Sequence, residues 1–466
     1  MRQHSVARKH AHRAHYHGHS LVRLMPAHAA DLPALHRLLL DLNADVWAES
    51  PAHVDVRAAD AEALTEALRQ SLSVGVHAET IVADVEKQLL APYWRAIDKR
   101  ADATSRPSVA AQLHDPKSWF AEYHDLNEIY EWYQLLTVTH KDRITITRNV
   151  GFSHEGRELM AVRFTNHAST KATQIKKQIY VQGGIHAREW ISHSTAQYIA
   201  YHLATSNDTA ITTLLDEAEV VLVPVVNPDG YAYTWTTDRI WRKNRRNNGH
   251  GAFGVDLNRN YPAHWGEGGS FTNPFVDKYM GPSAGSEPEL QALMAFFDSL
   301  PRVVAALDLH SFSQVILRPL GWTGEDAVHE SQHKTVGDAM ARIIKSVHGK
   351  DYVSEKLFDF VLTSGTATDW FYMQSRPLTN LFGAADGKSN DVATMKKMAL
   401  PPEHATVFRP YSFTLELRPL HPGFGDGFFD GFMLDPSEIV PVGEEVLPAF
   451  LHFARFAMEN VLTEVR

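Results

Sequence analysis

The apolar positions of this chain keep two rhythms, and the change between them divides it. Over 20–90 the apolar runs are short. Residues 21–24 read as a brief strand, and Leu32, Leu35, Leu38 and Leu39 recur at the spacing of one helix face. Stretches 45–47 and 53–56 alternate like strands, 59–72 returns to helical spacing, and 73–85 supplies a last strand. Two helices against about four strands predict a small α+β sandwich. Residues 85–98 read as a helix. KRADATSRPSVA, small and polar and carrying the dibasic pair Lys99-Arg100, then reads as an exposed linker of the kind proteases reach.

From Trp119 the runs lengthen. A helix is expected at 126–136, and 143–148 and 158–164 flank the turn GFSHEG as a hairpin. Strand and helix patterns then alternate: QIYVQ, a helix at 192–203, VVLVPVV, a helix at 287–300, VVAALDL and a helix at 325–347. SFTLELR at 412–418 is a further strand, and 447–462 a closing helix. The alternation predicts an α/β domain over 116–466 whose central sheet is mixed and largely parallel, flanked by helices. Residues 91–115 connect it to the smaller unit.

Composition changes this picture little. The 466 residues are 44% hydrophobic and 21% charged, ordinary for a globular chain with a sizeable core. No run of eighteen apolar residues exists, so no membrane span is expected. The net charge of -10 argues against a nucleic-acid partner. With no cysteine, disulfides, thiolate ligands and cysteine nucleophiles are excluded. Residues 1–19 are basic and histidine-rich, without an acidic residue. They read as a disordered tail, with a weak metal-binding tract or tag remnant as the sharper alternative. No secretory apolar segment is visible there, while Asn207-Asp208-Thr209 is a glycosylation triplet compatible with secretion.

Chemistry concentrates at GGIHAREW, 183–190. His186 and Glu189 lie three residues apart just after an apolar strand, and His310 closes another apolar run, VVAALDLHSFS. Two imidazoles and a carboxylate suit zinc and leave a coordination position open, as catalytic sites do. Arg188, Arg242 in IWRKNRR, and Asn258-Arg259 in GVDLNRNYP are candidate carboxylate binders, since a guanidinium matches two oxygens. For Arg242 alone a solvated basic run is the plainer reading. Glu416 sits on the polar face of the alternating strand SFTLELR. It is either a half-exposed side chain or a general base for the attacking water, and the pattern does not choose.

Seven motifs in order add a resemblance: HxxE at 186–189, NPDGY, RIWRKNR, GVDLNRNYP, DLHSFSQ, SGTATDW and FTLELR. Together they resemble the zinc metallocarboxypeptidases of the pancreatic carboxypeptidase A/B family, over about 116–460, with 20–90 similar to that family's activation propeptide. The resemblance implies one zinc per chain on His186, Glu189 and His310. It implies Glu416 as general base and Arg242 as the group that polarises the scissile carbonyl and stabilises the oxyanion. Asn258 and Arg259 would hold the substrate's terminal carboxylate. Arg188, Ser311, Phe312 and Thr368 would line the peptide's path and pocket, and Asp256 would orient His186. The implied protein is a secreted (alternatively vacuolar) monomeric zymogen. It would be activated by an endoprotease and remove single C-terminal residues from peptides, apolar or aromatic ones preferred. Neutral Thr368, Gly321 and Leu317 carry that preference, and an inward-reaching Lys356 would turn it toward acidic residues.

Three positions depart from the family pattern. Val361 stands where a mobile tyrosine is usual, the stretch between Trp370 and Glu416 is some thirty residues longer than in the digestive enzymes, and Ala252 and Phe275 replace a common cysteine pair. Val361 motivates a competing reading, a pseudo-enzyme that binds peptides without cutting them. A metal-buffering role for the histidine-rich tail is a third.

Overall fold

The computed structural model describes residues 13–14, 16–42, 44–49, 52–71, 75–102, 107–169, 176–381, 406–420 and 431–465. The small N-terminal unit is built on strands β1 (Ser20–Pro26), β2 (Asp45–Glu49), β3 (Val54–Ala58) and β4 (Val76–Val82). They form an antiparallel sheet in the order β2-β3-β1-β4. Helices Leu32–Asp41 and Ala61–Ser71 pack on it, their apolar faces meeting Val22, Leu24, Val54 and Val56 in a small core. On the opposite face of that sheet, away from this core, buried Arg23 pairs side-on with Asp55, at 2.7 and 2.8 Å, across opposite positions of β1 and β3.

The main domain is an eight-stranded sheet. Its strands are β5 (Ile144–Phe152), β6 (Glu158–Phe164), β7 (Lys177–Gly183), β8 (Ala218–Val223), β9 (Val303–Ser313), β10 (Val315–Arg318), β11 (Val353–Lys356) and, further along the chain, Tyr411–Leu420. Strands β12 (Arg376–Pro377) and β13 (Thr406–Arg409) precede that last one, which is therefore β14; β15 (Leu462–Val465) ends the set. The sheet order is β11-β10-β14-β9-β7-β8-β6-β5. Its middle, from β14 through β9 and β7 to β8, is parallel, and an antiparallel hairpin closes the β5 edge. This is the mixed, largely parallel α/β sheet expected. Every residue of β9 is buried, because helices cover both faces and no alternation is needed.

Several elements differ from their sequence reading. The closing helix is Ile439–Glu459 and carries Pro448 inside. Prolines 441 and 448 mask its first two turns, since proline argues against helix interiors. Helices Thr209–Glu217 and Pro228–Thr236 and the short strands β10 and β11 were not expected. The helix Ala91–Asp102 runs straight through Lys99-Arg100. Arg100 is not on an exposed linker but pairs with Glu122 at 2.9 Å and Glu128 at 2.6 Å. Residues 13–14 and 16–19, expected as the end of a disordered tail, are held against the rest of the chain: Arg13 pairs with Asp98, and the Tyr16 hydroxyl donates to Asp238. The rest of that tail, Arg106, and most of the long stretch between Trp370 and Glu416 lie outside the described residues. Flanks of that stretch, β12 and β13, pair with each other, and β13 pairs with β15. No helix among the described residues is long and apolar enough to cross a membrane.

Candidate active site

The site lies where the parallel strands end, the usual place for ligands in α/β sheets. β7 ends at Gly183, and Gly184 turns the chain at φ +69° into the site loop; a Cβ there would lie 1.8 Å from His193 Cε1, so glycine is required. That turn delivers His186. Glu189 follows as the residue preceding helix Trp190–Thr205. His310 comes from the end of β9, and Glu416 sits beside it in register on β14.

Three donor atoms converge here. His186 Nδ1 is 2.7 Å from Glu189 Oε1, and His310 Nδ1 is 3.1 Å from both Glu189 Oε2 and His186 Nδ1. All three residues are buried. The far side of each ring meets a carboxylate: His186 Nε2 faces Asp256 Oδ1 at 3.2 Å, and His310 Nε2 faces Asp308 Oδ2 at 2.8 Å. Burial alone would raise Glu189, but the two imidazoles hold it well below the usual carboxylate range. Burial would lower His310, but Asp308 and Glu189 hold it well above the usual imidazole range. The cluster favours positive charge at its centre. Two imidazole nitrogens and a carboxylate, each oriented from behind, fit one divalent cation.

The remaining expected residues surround the same cavity. Arg242 binds Asp256 through two nitrogens, at 3.0 and 3.1 Å, with Glu189 Oε1 3.7 Å away. Against the pull of burial, Arg242, His186 and Arg259 hold Asp256 well below the carboxylate range. Asp256 also accepts from Asn258 N at 2.9 Å, fixing the short turn that presents Asn258 and Arg259. Arg188, Ser311, Phe312, Glu416 and Val361 line the cavity with them. Burial pushes Glu416 up to about 8; His310 and Arg242 pull against this, while Glu189 and Asp308 add to it. Thr368 does not line the cavity. It is fully buried behind the wall, its hydroxyl 2.5 Å from that of Thr414, which does. Lys356 turns away, onto Gly324 O and Asp326.

Sequence reasoning missed several neighbours. Asp277 pairs with Arg188 at 3.0 Å, and Thr414, Asp277 and Lys278 line the cavity. Thr414 was legible, two residues before Glu416 on the same strand face. Nothing in the sequence marks Asp277. The N-terminal unit also reaches in: His36, Leu39, Val46 and Trp47 line the cavity, and Arg188 donates to the Trp47 carbonyl at 3.3 Å.

A family model described as zinc carboxypeptidase matches residues 129–449. Zinc carboxypeptidase A 1 of Anopheles gambiae is 33% identical over 338 residues, 72% of this chain and 68% of that one. An inactive metallocarboxypeptidase of Talaromyces stipitatus is 29% identical over 473 residues, 95% of this chain and 73% of that one. The crystal structure of the carboxypeptidase A from Helicoverpa armigera has a TM-score of 0.74 at 27% identity, covering 96% of this chain and 98% of that one. A match of that extent includes the N-terminal unit.

Proposed function

The chain belongs to the zinc carboxypeptidase family, and from that premise we propose that it removes single C-terminal residues from peptides, apolar or aromatic ones preferred, once its N-terminal unit is released. The observation that carries the proposal is the convergence of the three donors His186, Glu189 and His310 beside the cavity that His186 and Glu189 line together with Glu416 and Arg242.

In this reading His186, Glu189 and His310 hold the zinc. The ion supplies Lewis-acid polarisation and an acidified water. Glu416 takes the proton from the attacking water and passes it to the leaving amine. A divalent cation on those three residues would favour the ionised form of Glu416 against the burial that pushes it up to about 8. Arg242, held by Asp256, donates to the developing oxyanion. Asn258 and Arg259 hold the terminal carboxylate of the peptide, and Arg188 the chain upstream of the cut. Leu317 and Thr414 give the cavity wall no charge, and Lys356 is occupied elsewhere. An unpartnered charged side chain would lose its hydration there without return. The N-terminal unit acts as an inhibitory propeptide, supported by Trp47 and its neighbours inside the cavity. The exposed triplet at Asn207 supports work outside the cytosol.

The relative named inactive, together with Val361, favours a second reading, a peptide binder that does not cut. One experiment separates the two. The chain is cut between the two units and offered peptides ending in Phe, Leu, Lys and Glu. Release of free Phe or Leu is expected; peptide binding without release would establish the second reading.

A further inference from the structure

We propose that Asp308 is a positioning residue: its carboxylate selects the ring tautomer of His310 that leaves Nδ1 free for the metal, and keeps the Asn258 amide off that ring. The inference rests on the reading of His186, Glu189 and His310 as zinc ligands.

His310 Nε2 has two neighbours that demand opposite things of it. Asp308 Oδ2, at 2.8 Å, accepts only and requires an Nε2–H. Asn258 Nδ2, at 3.4 Å, donates only and requires a lone pair on Nε2. The orientation of the Asn258 amide is fixed independently, because its Oδ1 accepts from Ala367 N at 2.8 Å. If the amide won, a neutral ring would carry its proton on Nδ1, the atom that faces Glu189 and His186, and could not ligate. The shorter, charge-assisted bond to Asp308 decides the contest. Asn258 Nδ2 is then left for a substrate carboxylate.

A purely structural role for Asp308 has little to rest on. The side chain is fully buried, in the middle of the sheet. Among the described residues its one hydrogen bond is to His310, and Oδ1 has no partner. A carboxylate buried this deeply is costly unless it is paired, and the imidazole is the group that pairs with it. Strand geometry explains the placement: Asp308 and His310 are two apart on β9 and share a face.

The test compares zinc dissociation constants, by competition with a chromophoric chelator, in full-length protein and its variants. Asp308→Leu is expected to weaken zinc by ~10–100-fold. Asp308→Asn, whose side-chain oxygen still accepts from Nε2–H, is expected to restore most of that affinity. Adding Asn258→Ala to Asp308→Leu removes the competing donor and is expected to recover part of it, which a merely structural role would not. If Asp308→Leu does not fold, Asp308→Ala carries the same comparison. Wild-type zinc affinity in the Leu or Ala variant overturns the inference. His310→Ala is the control: if it too keeps wild-type affinity, the ligand assignment itself fails, whereas loss in His310→Ala alone sinks only the role of Asp308.

Discussion

The N-terminal unit and the main domain both rest on a sheet, but they hold it differently. In the main domain β7 and β9 are buried on both faces by large apolar clusters, and the reactive side chains sit at the ends of these strands. The N-terminal unit has a small core on one face of its sheet and a buried ion pair, Arg23 with Asp55, on the other. Its hold on the main domain mixes one apolar cluster, in which Leu21, Trp47 and Trp94 meet Ile240, with polar ties such as Arg188 to Trp47 and Tyr16 to Asp238. A site that must keep donors within a few tenths of an ångström needs the first kind of support. If the N-terminal unit is a cover that leaves, as proposed, the second kind suits it, since each polar tie can be replaced by water.

The comparison breaks most sharply at Glu416. Glu416→Gln should fold and keep zinc, because the change leaves the sheet and the three donors intact, yet lose turnover by ~10²–10⁴-fold. In the active wild type, kcat/KM should fall on the acid side as Glu416 takes up its proton, with the midpoint below 8 because the ion's charge lowers it. Activity and bound zinc measured on one preparation check both halves. Near-normal turnover in the Gln variant removes Glu416 as the base, and lost zinc makes it part of the metal's support instead.

The two regions also differed in how far the sequence announced them. The central strands were legible because burial on both faces makes them continuous apolar runs, and β7, β9 and β14 carried the site residues with them. His310 beside Glu416 was not legible, since strand pairing joins positions about a hundred residues apart. Nor was the burial of Thr368, which depends on how helix Ala367–Met373 lies against β14. Asp308 shares a face with His310 by simple alternation and was visible in principle. In the N-terminal unit the elements were legible, and its resemblance to an activation propeptide implied a seat over the active-site mouth, but not that Trp47 and its neighbours would line the cavity. The connecting residues misled most: small polar composition at 99–102 suggested a linker, while ion pairs to Glu122 and Glu128 hold a helix there.

The cover can be tested in two ways. A trypsin-like protease should raise peptidase activity, and mass analysis should show Arg100 cut slowly, because its helix and ion pairs withhold the extended conformation a protease needs. Arg23→Ala offers release without a cut. It leaves the buried Asp55 carboxylate without its guanidinium, a loss of ~3–5 kcal/mol for a broken buried pair, comparable with the whole stability of a small unit. The uncut variant should then show activity the uncut wild type lacks, with the melting of the main domain unchanged. An uncut wild type as active as the cut enzyme would end the inhibitory reading.

The smallest expected effect concerns which C-terminal residue is taken. Peptides ending in Phe should be preferred over matched peptides ending in Arg, by ~10–200-fold in kcat/KM, the range that a pocket's shape and polarity can supply without a dedicated counter-charge. The wall near Glu416 offers Leu317 and Thr414, and neither pairs with a guanidinium. Lys356, the residue that would have favoured acidic ends, is bound to Gly324 O and Asp326. Thr368→Asp should narrow the gap without reversing it, because position 368 lies behind Thr414 and a carboxylate there would meet that hydroxyl before any substrate. Part of its charge would be spent on Thr414, and part of its burial cost would appear as lost stability. A full reversal toward Arg in Thr368→Asp would mean that helix Ala367–Met373 shifts enough to open position 368 to the cavity. A natural preference for Arg would mean that Asp277, now held by Arg188, reaches the substrate side chain instead.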